Sequence, residues 1–170
     1  FIFNYSIGQD EEKYAVLIEK AWELYENGQY LESGEKYSEA FLALGNKGRV
    51  SDRYNAACSY ALANKSDSSF VQLFVIAEHG NYTNYDHIST DTDLNSLHTD
   101  ERWTKIISAV KSNKEKAEAN FDKPLVALLD TILTEDQKYR QQIDEIEEKY
   151  GRESSEMEAH WELINKTDSI

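Results

Sequence analysis

Apolar and small residues recur at steps of three and four along most of the chain. Leu17, Ala21 and Leu24 form one set, and Ser33, Tyr37 and Ala40 the next. Tyr54, Cys58 and Ala61 follow, then Phe70, Phe74 and Ala77, and later Ile106, Ile107 and Val110. Such a period puts each set on one face of an α-helix. From Leu125 the same steps run through Leu129, Ile132, Asp136, Tyr139, Ile143, Ile146 and Tyr150. That is a heptad seam of roughly three to four heptads, with Gly151 as its expected C-cap. Met157, Trp161 and Ile164 mark a last segment that could fold back on it as a hairpin. One proline and seven glycines in 170 residues favour long helices joined by short turns. The pattern predicts an all-α fold.

The first four sets also repeat. Leu17, Ala21 and Leu24, the turn with Gly28 and Tyr30, and then Ser33, Tyr37 and Ala40 follow one another at fixed spacing. Tyr54, Cys58, Ala61, Phe70, Phe74 and Ala77 make a second copy displaced by 37 positions. This spacing resembles the tetratricopeptide repeat, a pair of antiparallel helices of about 34 residues. The extra residues fit in the loop Gly45-Asn46-Lys47-Gly48. Three departures stand out: Lys20 replaces the usual leucine, the second turn (Asn64-Lys65-Ser66-Asp67) lacks its glycine, and Gly45 replaces the closing proline. The alternation has a physical cause, because paired helices approach closely only where small residues face large ones. A single hairpin cannot bury its apolar face alone, so the copies are expected to stack.

The run Asp91-x-Asp93-Leu94-x-x-Leu97-x-x-Asp100-x-Arg102-Trp103 resembles the closing half-repeat that follows such arrays in bacterial proteins. Thr99 or Asp100 should cap its helix, which is expected to cover the open end of the stack. Asp122-Lys123-Pro124 marks a boundary, since proline suits a first helical turn. Three segments are therefore expected: residues 1–8 as a signal-peptide remnant, 9–120 as the repeat domain, and 121–170 as a long-helix hairpin. Leu128-Leu129-Asp130, Asp136-Gln137, Arg140, Trp161 and Asp168 resemble the opening of an uncharacterised bacterial helical domain. That family implies no known activity. Asp136 interrupts the apolar seam, and Arg140, four residues on, is its expected partner.

Composition narrows the function. A net charge of −14 argues against nucleic-acid binding, which needs clustered Lys and Arg. No stretch approaches the roughly 18 consecutive apolar residues of a membrane span. Cys58 is the only cysteine, so no internal disulfide or cysteine-based metal cluster can form, and a small core residue is expected there. Asp91-x-Asp93-x-Asn95 opens like a calcium loop, but Ser96 replaces the turn glycine and Arg102 the bidentate glutamate. A capped turn with solvated aspartates is the expected form. His79, His87, His98 and His160 make no His-x-x-x-His pair, and phosphate-loop and nucleophile-turn motifs are missing. No metal or cofactor is implied. Phe1-Ile2-Phe3-Asn4-Tyr5-Ser6-Ile7-Gly8, followed by Gln9-Asp10-Glu11-Glu12-Lys13, resembles the end of a secretory signal, so a periplasmic, envelope or secreted location is expected.

These readings point to a non-catalytic scaffold for a protein or peptide. By position in the repeat, Ile18, Trp22, Tyr25, Asn55, Ser59 and Leu62 should line a concave binding face. Two alternatives are weighed against it. One is the regulatory part of an enzyme whose chemistry lies beyond Ile170, with Asp136 and Arg140 in a functional site. The other is a homodimer formed through the heptad helix.

Overall fold

The computed structural model describes residues 3–167, apart from the side chains of residues 3–7, 9, 135 and 167. Among the described residues there are nine α-helices, one 3₁₀ turn and no strand, so the fold is all-α. The chain divides into two units, Phe1–Ala119 and Asn120–Ile170. Among the described residues no helix is long and apolar enough to cross a membrane.

In the first unit, α1 (Phe3–Glu26) and α2 (Tyr30–Ala43) pack as one hairpin, and α3 (Val50–Leu62) and α4 (Ser66–Glu78) as the next. Phe3 to Gly8 of the expected signal remnant continue α1, while Phe1 and Ile2 lie outside the described residues. Gly28 turns the first hairpin at φ +74°. The second turn, which lacks a glycine, uses Asn64 at φ +57°. Asparagine is among the few other residues that visit this region routinely.

The hydrogen bonds of the two hairpins superimpose. Gly28 N donates to Tyr25 O at 2.9 Å, and Asn64 N to Ala61 O at 3.0 Å. Gln29 N donates to Leu24 O at 2.9 Å, and Lys65 N to Tyr60 O at 2.8 Å. Ser33 Oγ donates to Ala21 O at 2.8 Å, and Ser69 Oγ to Ala57 O at 2.7 Å. Each pair is displaced by 36 positions, which corrects the displacement of 37 expected from side-chain size. Ala57, not Cys58, is therefore the counterpart of Ala21. Both are small and adjacent, so size alone could not choose between them; the serine hydroxyl fixes the register.

The hairpins join through α2 and α3. Ser33 Oγ lies 3.0 Å from Ser59 Oγ, and Gly34 receives the face of the Tyr60 ring. Ser38 Oγ meets the Tyr60 hydroxyl at 2.8 Å. Two apolar clusters flank this contact. One gathers Tyr14, Ala21, Tyr37, Ala40, Phe41 and Ala56; the larger is built on Tyr54, Phe70, Leu73 and Ile76. Arg53 is buried without a carboxylate. It donates to Gln72 Oε1 at 2.7 Å and Asn46 O at 2.6 Å, and its guanidinium covers the Phe41 ring.

The closing segment comprises α5 (Tyr85–Thr90), a 3₁₀ turn (Thr92–Leu97) and α6 (Glu101–Glu118). Leu94, Leu97, Ile106 and Val110 enter the larger cluster fully buried. Asp100 caps α6 by accepting from Arg102 N at 2.9 Å. Ser96 and Arg102, the residues that spoil a calcium loop, have structural work instead. Ser96 Oγ donates to Ala61 O at 3.1 Å, and Arg102 bonds Asp67 and Asp100 over the Phe70 ring. Both tie the segment to the second hairpin.

The second unit corrects the expectation of one long helix. α7 (Lys123–Arg140) stops, and α8 (Ile143–Tyr150) begins after Gln141 and Gln142. Tyr139 O accepts from Gln142 N at 3.1 Å and from His160 Nε2 at 2.6 Å. A side chain inserted into the ladder is a recognised cause of a kink. α9 (Ser155–Thr167) packs on both halves. Its buried face is Met157, His160 and Ile164, whereas Trp161 is exposed, against expectation. The seam is covered only in part: Leu125, Leu129, Ile132 and Tyr150 are exposed, and Tyr139, Ile143 and Ile146 half-buried. Gly151 ends α8 at φ +87°, as a C-cap glycine does.

A Cβ on Gly34 would lie 2.7 Å from Tyr60 Cε1. Gly34→Ala should therefore lower stability by about 1–2 kcal/mol, after alanine's helix propensity returns roughly 1 kcal/mol. Urea unfolding reads it, and an unchanged midpoint would mean that the ring is not confined there.

Candidate functional site

One cavity of about 160 Å³ opens between α1, α3, α5 and the start of the 3₁₀ turn. Trp22, Tyr25, Tyr54, Asn55, Cys58, His87, Asp91 and Asp93 line it. Trp22 and Tyr25 sit three residues apart on α1, so one helical face carries both. Their rings stack at 5.3 Å and 14°, and Trp22 remains 44% exposed. The corrected register explains the α3 side. Stepping 36 positions from Ile18 and Trp22 reaches Tyr54 and Cys58, and both are in the wall.

Carboxylates close the opposite side. Asp91 caps the 3₁₀ turn by accepting from Asp93 N at 3.0 Å. Its other oxygen accepts from the Tyr54 hydroxyl at 2.8 Å, with Cys58 Sγ at 3.8 Å and His87 Nε2 at 3.9 Å. Asp93 Oδ2 accepts from the Tyr25 hydroxyl. The two aspartates are half-buried, so the expectation of solvated carboxylates is corrected. The physical reason is that each receives a hydroxyl from a helix distant in sequence. His87 meets the Tyr82 hydroxyl through Nδ1 at 3.0 Å and stacks on Tyr54 at 4.8 Å.

The electrostatics follow from burial. Burial first, and the Asp91 bond second, push the Tyr54 hydroxyl above its ordinary value; burial and then Asp93 do the same at Tyr25. Burial and then Asp91 push the Cys58 thiol up. A protonated thiol is a poor nucleophile, so this cysteine is not activated for covalent chemistry.

Cys58 Sγ and one carboxylate oxygen each from Asp91 and Asp93 lie within 4.8 Å of one another. In the sequence Asp91 and Asp93 resemble part of a calcium loop, set aside above, and nothing there joins them to Cys58. The proton on the thiol and the tyrosine hydroxyls on both carboxylates stabilise the set as a hydrogen-bonded network.

Of the six positions expected to line a concave face, the fold gathers Trp22, Tyr25 and Asn55 at the cavity. The other three positions fall elsewhere. Ile18 is half-buried against the cluster around Tyr14 and Ala21. Ser59 is fully buried, donating to Asn55 O at 2.9 Å beside Ser33. Leu62, half-buried at the end of α3, stands outside the lining. Ser59 and Leu62 miss because the expected register was one residue too long. Tyr54, Cys58, His87, Asp91 and Asp93 were not anticipated as site residues. The local signals were the Asp91-x-Asp93 spacing, weighed above as a calcium loop, and the four-residue step from His87 to Asp91.

In the second unit Arg140 Nε donates to Asp136 Oδ1 at 3.0 Å, and Gln137 Nε2 to Asp136 Oδ2 at 2.8 Å. The polar pair thus forms along one helix, as its spacing predicts. Asp168, the last position of the C-terminal resemblance, lies outside the described residues. No family model, no curated protein and no solved structure matches the chain.

Two predictions follow from the buried hydroxyls and thiol. A tyrosine whose folded pKa is raised contributes stability fully below its unfolded value near 10 and loses it as pH climbs toward the folded value. Burial raises Tyr14, Tyr37 and Tyr82 to about 12, and Tyr25 and Tyr54 further. Unfolding free energy should hold up to about pH 10 and fall steeply above it. Absorbance at the phenolate band, followed with circular dichroism, should show these tyrosines ionising together with unfolding; gradual ionisation with the helices intact would contradict the network. For Cys58, a thiol-specific disulfide reagent near pH 8 should react at least about a hundredfold more slowly in the native chain than in denaturant. Equal rates would mean that the thiol is open.

Proposed function

We propose that the chain is a non-catalytic scaffold of the tetratricopeptide-like class that holds a peptide or partner protein at the Trp22–Asn55 face, in the cell envelope. The reading is carried by one observation: Trp22, exposed and stacked on Tyr25, stands at the mouth of a cavity whose other wall is polar, with tyrosine hydroxyls bonded to Asp91 and Asp93. Large aromatic residues around a pocket are the commonest anchors of protein recognition. A protonated thiol and hydrogen-bonded carboxylates suit holding rather than chemistry. The two repeating hairpins and the closing helix support the family resemblance through their order and their shared register. The apolar start of the sequence supports the envelope location.

Peptides selected by display on the wild-type chain should bind Trp22→Ala at least about tenfold more weakly, since hot-spot truncation costs 2 kcal/mol or more. Helicity should be unchanged. Equal binding to both proteins would place the interaction elsewhere and remove this face from consideration.

A further inference from the structure

We infer that the cavity receives the cationic side chain of a bound peptide, a lysine or an arginine, between the rings of Trp22 and Tyr25 and the carboxylates of Asp91 and Asp93. The inference rests on the peptide-binding reading and names the chemistry of its partner.

Charge complementarity carries it. Two carboxylates face the cavity, yet its lining holds no lysine or arginine. The one basic neighbour, His87, stands 3.9 Å from Asp91 and is occupied at Nδ1 by Tyr82. Tyrosine hydroxyls satisfy one oxygen of each aspartate, but neutral donors leave the negative charge in place. A carboxylate offers about four acceptor positions. Among the described residues, Asp93 Oδ1 takes no hydrogen bond, so an arriving ammonium or guanidinium has an acceptor ready.

The walls favour the same ligand. A cation is attracted to the face of an aromatic ring, tryptophan most strongly. Trp22 and Tyr25 form a continuous stacked surface at the mouth, while Tyr54, its ring packed against Tyr82 and His87, contributes its hydroxyl to Asp91. Aliphatic stems of lysine and arginine pack on such rings while their heads reach polar groups. About 160 Å³ corresponds to roughly five water molecules, room for one such side chain but not for peptide backbone. The net charge of −14 attracts a basic peptide over longer range as well. Cys58, Asp91 and Asp93 could instead draw a divalent metal, and the experiment separates the two.

The experiment uses the full 170-residue chain, labelled with nitrogen-15, and follows the Trp22 indole N–H resonance, assigned by Trp22→Phe. The probes are the capped pentapeptide Gly-Ala-Lys-Ala-Gly, its arginine and norleucine counterparts, and zinc chloride alone, the peptides being measured with a chelator present. The lysine or arginine peptide should shift the resonance, with the norleucine peptide at least about tenfold weaker, because a charge-assisted bond contributes roughly 1.5–3 kcal/mol. Raising salt from about 50 to 500 mM should weaken the cationic peptides alone. Asp93→Asn, with helicity intact, should lower their affinity about tenfold. Equal binding of the norleucine peptide overturns the inference, as does no shift from either cationic peptide. A shift produced by zinc chloride alone, with no peptide effect once the chelator is added, also overturns it and assigns the cavity to a metal. Display-selected peptides that lose binding on Trp22→Ala but keep it on Asp93→Asn would leave the peptide face standing and remove only its cationic anchor.

Discussion

The first unit depends on a hydroxyl that crosses each hairpin. Ser33 and Ser69 donate to the carbonyls of Ala21 and Ala57 at hydrogen-bond distance, which brings each second helix close against the backbone of the first. A larger residue at either alanine would hold the helices apart, and a serine elsewhere would shift the register. The two hairpins therefore share these hydrogen bonds at a displacement of 36 positions. Gly34 against Tyr60 then sets how one hairpin meets the next.

Upon that frame the chain places its polar interior. Tyr25 and Tyr54 come from the two hairpins, while Asp91 and Asp93 come from the closing segment, so their bonds join each hairpin to that segment. Tyr14 and Asp52 make a second such tie between α1 and α3. In a chain with 32 acidic residues, holding three carboxylates under tyrosine hydroxyls, Asp52 buried and Asp91 and Asp93 half-buried, is a specific arrangement. Hydrogen bonds to charged groups contribute about 1.5–3 kcal/mol each when both partners are present, and leaving such a carboxylate buried alone would cost more. The same arrangement leaves a cavity with acidic and aromatic walls, which connects the packing of the unit to the reading of its function.

In the second unit a side chain of α9 bonds the backbone where α7 ends. His160 takes the Tyr139 carbonyl, and the heptad pattern, though unbroken in sequence, is divided between α7 and α8. The Asp136–Arg140 pair forms just before the bend, inside one helix. An ion pair four residues apart on a half-exposed helix is an ordinary surface element, so it carries no catalytic reading by itself.

Helix positions, the turn at Gly28, the cap at Asp100 and the all-α class were legible in the sequence, because each depends on neighbours within one or two turns. The alternation of small and large residues also announced two copies. The register between them was not legible: Ala57 and Cys58 are adjacent and both small, and the turn bonds together with the bond from Ser69 distinguish them. That one-residue difference decided which α3 side chains meet Trp22 and Tyr25. It put Tyr54 and Cys58 in the wall and Ser59 in the core. Asp91 and Asp93, read locally as a solvated cap, acquired their partners from residues 37 and 68 positions away. Periodicity reports which face of a helix is apolar; it holds no record of which distant hydroxyl will reach a carboxylate, and that was decided by the packing alone.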